Sequence, residues 1–167
     1  MIAAMTRGLF AIALLLVPPC LAEEAVKNWF DDPYFQVRSA IAHCPTPLGP
    51  FTTHEQMLKE THYRSERGTR CWLEGKCSKP SSYMYDADIA QAVRARFEGS
   101  PKLKDASLWV TVQRRFVWID GCVRSARGRN EIETLLRGVP DVEMLIVNVM
   151  RAGDAAPPYR TLAPRQP

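Results

Sequence analysis

Most of what would announce an enzyme is missing from this chain. It has only three histidines, His43, His54 and His62. His54 and His62 lack the His-x-x-x-His spacing that a helical metal site uses, so no metal is expected. There is no Cys-x-x-Cys redox motif, no Gly-x-Ser-x-Gly elbow and no glycine-rich phosphate loop. Asp88 and Asp120 fall in different segments and form no evident acid/base pair. Asp88 reads instead as a first-turn carboxylate stabilised by a helix dipole. No catalytic residue and no cofactor is expected. A strong charge excess is also missing. The formal net charge is +4 over 167 residues, and basic and acidic residues nearly balance in each region. That argues against a nucleic-acid partner. There are no internal repeats.

No apolar run is long enough to span a bilayer, which takes about 20 residues. The longest, Gly8 to Val17, follows Arg7 and precedes Cys20-Leu-Ala22. This is the layout of a secretory signal, with cleavage expected after Ala22. Cys20 could serve as a lipoprotein anchor, but Pro19 before it fits that processing poorly. The mature chain is therefore expected to lack a transmembrane helix and to lie in the periplasm or outside the cell.

The remaining cysteines are Cys44, Cys71, Cys77 and Cys122. An even set in a secreted chain points to disulfides, and four cysteines allow three connectivities. Full pairing across the chain ties Cys122 to the N-terminal half. The alternative is a local Cys71–Cys77 bridge, with Cys44 and Cys122 paired or free. A cysteine nucleophile beside His43 is the weaker reading.

The most patterned stretch runs from Asp86 to Met150. Asp86 is a fair N-cap, and Ile89, Val93 and Phe97 follow at helical spacing until Gly99 and Pro101. Ser107 to Gln113 alternates as a strand, with Leu108, Val110 and Val112 on one face and Trp109 and Thr111 on the other. A turn at Arg114-Arg115 sends Phe116 to Cys122 back antiparallel, without the Asn-Gly or Asp-Gly that such hairpins favour. Ser125 is the next N-cap candidate, Ile132, Leu135 and Leu136 form a stripe, and Gly138 closes the helix. Val142 to Met150 reads as a third strand.

This order resembles a BON domain. The matching residues are Asp86-Ala-Asp-Ile-Ala, Leu108-Trp-Val-Thr-Val, Val117-Trp-Ile-Asp-Gly-Cys-Val123 and Val139-Pro-Asp-Val142. Gly121 stands where the family places a glycine at the end of its second strand. The resemblance implies an α+β fold, αββαβ, with two helices on one face of a mixed three-stranded sheet. It also implies a non-enzymatic cell-envelope protein whose partner is anionic phospholipid or another envelope protein. The family's outer sheet face is usually polar. Here that face is expected to carry Trp109, Phe116, Trp118, Met144 and Ile146, too much apolar surface to leave wet. The chain's own N-terminal half is the first candidate to cover it, through Trp29, Phe30, Phe35 and Trp72. A partner or a membrane is the second.

The domain plan is then a signal at 1–22, a cysteine-containing helical and loop extension at 23–85, the BON-like domain at 86–151 and a disordered proline-rich tail at 152–167. Within the extension, Asp32-Pro33 is expected to open a helix carrying Tyr34, Val37 and Ile41. Thr53 and Gln56 suggest a capping box for a second helix towards Arg67. Candidate contacts to anionic lipid fall into two groups. Arg114 and Arg115 mark the hairpin tip, and Lys102, Lys104, Arg124 and Arg127 belong to the opposite pole. Each basic residue near an anionic surface contributes about 1 kcal/mol at best.

Overall fold

The computed structural model describes residues 25–162. The expected signal, its cleavage site and Cys20 lie outside the described residues. The central stretch forms the expected elements: α3 (Asp86–Glu98), β2 (Ser107–Gln113), β3 (Phe116–Val123), α4 (Gly128–Leu136) and β4 (Met144–Arg151). β2 and β3 pair antiparallel, while β3 and β4 pair parallel through the crossover that contains α4. Ile89, Val93 and Phe97 of α3 and Ile132 and Leu136 of α4 are buried on one sheet face. They pack with Leu108, Val110, Val112, Val117 and Ile119.

Gly121 is required by its surroundings. Its φ is 143°, and a Cβ there would sit 2.1 Å from the Ser107 carbonyl oxygen. Only glycine lets the two strands approach this closely.

Among the described residues the sheet has four strands, not the three expected. Residues Tyr34–Ser39 form β1, an antiparallel edge strand on β2, where a helix was expected. Two physical terms decide this. Asp32 does not cap a helix, because its carboxylate is bound by Arg64 and by Gln113 Nε2 at 2.6 Å. The free edge of β2 also offers a row of unpaired backbone groups, which Tyr34-Phe-Gln-Val-Arg-Ser can satisfy while alternating its side chains. Tyr34 and Gln36 lie opposite Thr111 and Trp109 on the outer face. Arg38, at an irregularity in the pairing, donates to the carbonyls of Phe97 (2.7 Å) and Ser100 (3.0 Å). It thereby adds a side-chain donor to carbonyls at and just past the end of α3, where the helical ladder runs out.

The second helix of the extension, α1 (His54–Glu66), starts with the expected Thr53/Gln56 capping box. A short helix α2 (Thr69–Leu73) and a turn of 3₁₀ helix (Ser82–Tyr85) lead into α3. Arg64 of α1 is buried, paired with Asp32 and flanked by the rings of Phe30 (4.4 Å) and Tyr83 (5.4 Å).

Among the described residues two disulfides form, Cys44–Cys122 and Cys71–Cys77. The local bridge and the bridge joining the extension to the central domain therefore coexist. The tail is not disordered where it is described. Leu48 donates its N–H to the Arg160 carbonyl (2.7 Å), Leu162 donates to Thr46 (3.0 Å), and Tyr159 Oη donates to the Pro45 carbonyl (2.9 Å). The proline-rich loop at 45–50 lacks a ladder of its own, and the returning tail supplies part of one.

Candidate functional site

At the hairpin tip, Arg114 and Arg115 have φ of 54° and 70°. Both are left-handed, as a two-residue primed turn demands, yet neither residue is Gly or Asn. The cost is offset by Asp86. Its Oδ2 accepts the Arg114 N–H at 2.7 Å and its Oδ1 the Arg115 N–H at 2.8 Å. Asp86 is thus the first residue of α3 and the anchor of the turn, not the expected side-chain cap of the helix. Burial pushes its carboxyl above the ordinary range, opposed by these two N–H groups. The guanidinium of Arg114 meets Glu60 at 3.5 Å and is only 17% exposed. Arg115 lies over the Tyr85 ring at 4.8 Å and donates through Nε to the Asp141 carbonyl at 2.7 Å. Both cations are engaged within the protein.

The opposite pole differs. Lys102 and Lys104 lie between α3 and β2, and Arg124 and Arg127 follow β3. The Ser107–Cys122 pairing brings these two connections to one end of the sheet. All four side chains are exposed, and among the described residues none of them forms an ion pair. Ser125 does not cap α4 directly. Its Oγ accepts the Arg127 N–H at 3.2 Å in the turn before the helix. Arg124 also lines a pocket of about 360 Å³, whose other walls include Ile41, Ala42, Met150, Ala155 and Pro157.

The outer sheet face is neither wholly apolar nor sealed. Trp109, Phe116, Trp118 and Ile146 are half-buried, and Met144 is 49% exposed. Thr111, Asp120 and Asn148 share the face, because they stand in register with these residues. Of the expected covering residues, Phe30 does line this side. Trp29 instead packs within the extension, its Nε1–H donating to the Thr52 carbonyl at 2.8 Å. Phe35 lies against the helix layer beneath Arg94, and Trp72 is exposed. The sequence pattern overlooked Tyr34, Phe51 and Tyr159, which take up much of the covering.

Between sheet and cover remains a cleft of about 500 Å³. Its lining includes Thr111, Trp118, Asp120 and Asn148 from the sheet, with Phe30 and Phe51 from the extension and Tyr159 from the tail. Asp120 Oδ1 accepts from Asn148 Nδ2 at 3.0 Å. Among the described residues Oδ2 has no hydrogen-bond donor. Burial pushes the Asp120 carboxyl up, and the Asn148 hydrogen bond opposes the shift. The phenols of Tyr34 and Tyr159 are each pushed up to about 12, first by burial and then by the Asp120 charge. They stay neutral, and both donate to carbonyls of the proline-rich loop.

An antiparallel pair extended by a parallel strand through a helix, with α3 and α4 on one face, is a small α+β module. Residues 85–153 match the family model of the BON domain, so this part of the chain is a BON domain. No curated protein and no solved structure matches the chain. The BON domain is associated with membrane or phospholipid binding and with envelope proteins. The two disulfides fit an oxidising compartment. Among the described residues no helix is long and apolar enough to cross a membrane.

Proposed function

We propose that this protein is a non-enzymatic, periplasmic BON-domain protein that docks on anionic phospholipid at the cell envelope and supports envelope integrity. The observation that carries the reading is the basic pole. Four exposed cations, none ion-paired among the described residues, gather at one end of the sheet, and one of them, Arg124, lines a mostly apolar pocket that also holds Asp154. A lipid offers the matching pair, an anionic headgroup joined to apolar chains. Four cations at about 1 kcal/mol each give weak, salt-sensitive attachment, suited to a crowded membrane surface and not to a soluble ligand. Arg114 and Arg115 have a smaller part in this reading, since Glu60, Tyr85 and Asp141 already hold them.

The test is sedimentation with phosphatidylglycerol vesicles against phosphatidylcholine vesicles, at low and high salt. Binding to the anionic vesicles is expected at low salt only. The double changes Lys102→Glu/Lys104→Glu and Arg124→Glu/Arg127→Glu should each weaken it by about tenfold or more, since each removes two attractions and adds two repulsions. Equal binding to both vesicle types would remove the proposal.

A second reading, docking on another envelope protein, is favoured by exposed apolar side chains around the opposite pole. Tyr63, Tyr83, Met84 and Met144 are each more than two-fifths exposed. In that case the protein co-purifies with a partner and ignores vesicles.

A further inference from the structure

The cleft on the outer sheet face is not used by the lipid reading, and its chemistry is different. We infer that it is a binding site for an oligosaccharide, with Trp118 as the stacking surface and the Asp120–Asn148 pair as the hydroxyl-recognising group.

The cleft's volume, about 500 Å³, falls within the range of small-molecule sites. A purely apolar ligand would bury Asp120 and Asn148 against groups that cannot hydrogen-bond, which is costly. An anion would meet the Asp120 carboxylate. A simple cation would meet Lys59, Arg114 and Arg160, which also line the cleft. A neutral polyhydroxylated ligand suits all of these groups. Asn148 spends one amide hydrogen on Asp120 Oδ1, so Asp120 Oδ2 and Asn148 Oδ1 remain as acceptors side by side on adjacent strands. Two neighbouring hydroxyls of a sugar ring offer a pair of donors to such acceptors. The half-buried indole of Trp118 provides a flat apolar surface for the C–H face of the ring. Phe30, Phe51 and Tyr159 supply further ring surface.

Asp120 also answers to a test that separates binding from packing. The residue is 8% exposed, and among the described residues its carboxylate has one donor and no ion-pair partner. As a structural group it is expensive. As a recognition group it is waiting for a donor that the ligand brings.

The experiment is a titration of the mature chain, followed by the Trp118 indole N–H and Asn148 side-chain amide resonances. The probes are the tetrasaccharides of β-1,4-linked N-acetylglucosamine, of β-1,4-linked glucose and of α-1,4-linked glucose. Phosphatidylglycerol vesicles serve as the comparison. At least one tetrasaccharide should shift both resonances saturably at low-millimolar concentration or below. Asp120→Asn should weaken that binding about tenfold, the loss expected for a hydrogen bond to a charged acceptor, without lowering the unfolding midpoint. Lys102→Glu/Arg124→Glu should leave it unchanged, so failure of the lipid reading and failure of this one are told apart. The inference is overturned if none of the tetrasaccharides moves the two resonances, if Asp120→Asn binds as well as the parent, or if only vesicles move them.

Discussion

Asp120 shows how much one position can carry. It stands in a strand between Ile119, which is fully buried on the helix face, and Gly121, which has no room for a side chain. Alternation therefore aims it at the outer face, where burial raises its proton affinity. A carboxyl whose folded-state pKa is raised contributes most below its unfolded value, about 3.9, and that contribution is lost as pH rises through the folded value. At neutral pH the ionised group is a net cost. Asp120→Asn, which can still accept from Asn148, should raise the unfolding midpoint at pH 7. The gain over the parent should vanish as pH falls below the ordinary carboxylate range. Denaturant titrations at a series of pH values check this, and a gain that grows towards low pH would reverse the assignment.

The hairpin between β2 and β3 works at the scale of an element. Its two turn residues are arginines in a conformation that favours Asn and Gly, and the turn is held from outside by Asp86 at the start of α3. Asp86→Ala should cost about 2 kcal/mol, because two partly buried N–H groups lose their acceptor while the strain at two left-handed residues stays. Adding Arg114→Asn and Arg115→Gly to Asp86→Ala should recover a good part of that loss by making the turn self-sufficient. Chemical unfolding of the three proteins reads the coupling. Simple additivity between the turn and Asp86 would show that the carboxylate does not support the turn.

At the scale of the whole molecule, the extension is built into the domain. β1 closes the edge of β2, Asp32 and Arg64 tie α1 to Gln113 of the sheet, and Cys44–Cys122 makes the link covalent. The two disulfides close chain segments of very different length, with sequence separations of 78 and 6. On chain entropy alone the longer one contributes roughly 4–5 kcal/mol and the shorter about 2. Replacing Cys44 and Cys122 by Ser should therefore lower stability by about twice as much as replacing Cys71 and Cys77. Guanidinium unfolding of the two double variants measures it, and a larger loss from the Cys71/Cys77 pair would contradict this account.

The elements of the central domain are legible in the chain, because each carries its own local signal. Ile89, Val93 and Phe97 recur at helical spacing, Leu108 to Val112 alternates, Gly121 marks a close approach, and Thr53 with Gln56 announces a cap. The evenness of the cysteine set was equally legible. The roles that could not be read locally belong to residues whose partners are distant in the chain. Asp32-Pro33 carries a helix-start signal, yet Asp32 is taken by Arg64 and Gln113 and the residues after it complete an open sheet edge. Asp86 resembles a cap but serves a turn formed nearly 30 residues later. The tail is rich in proline and low in apolar residues, yet its described part, to Leu162, pairs with the loop at 45–50 because each supplies hydrogen bonds the other lacks. The cleft belongs to this second class. Trp118, Asp120 and Asn148 share a face by register, but Phe30, Phe51 and Tyr159 come from both ends of the chain, and no local pattern places them there.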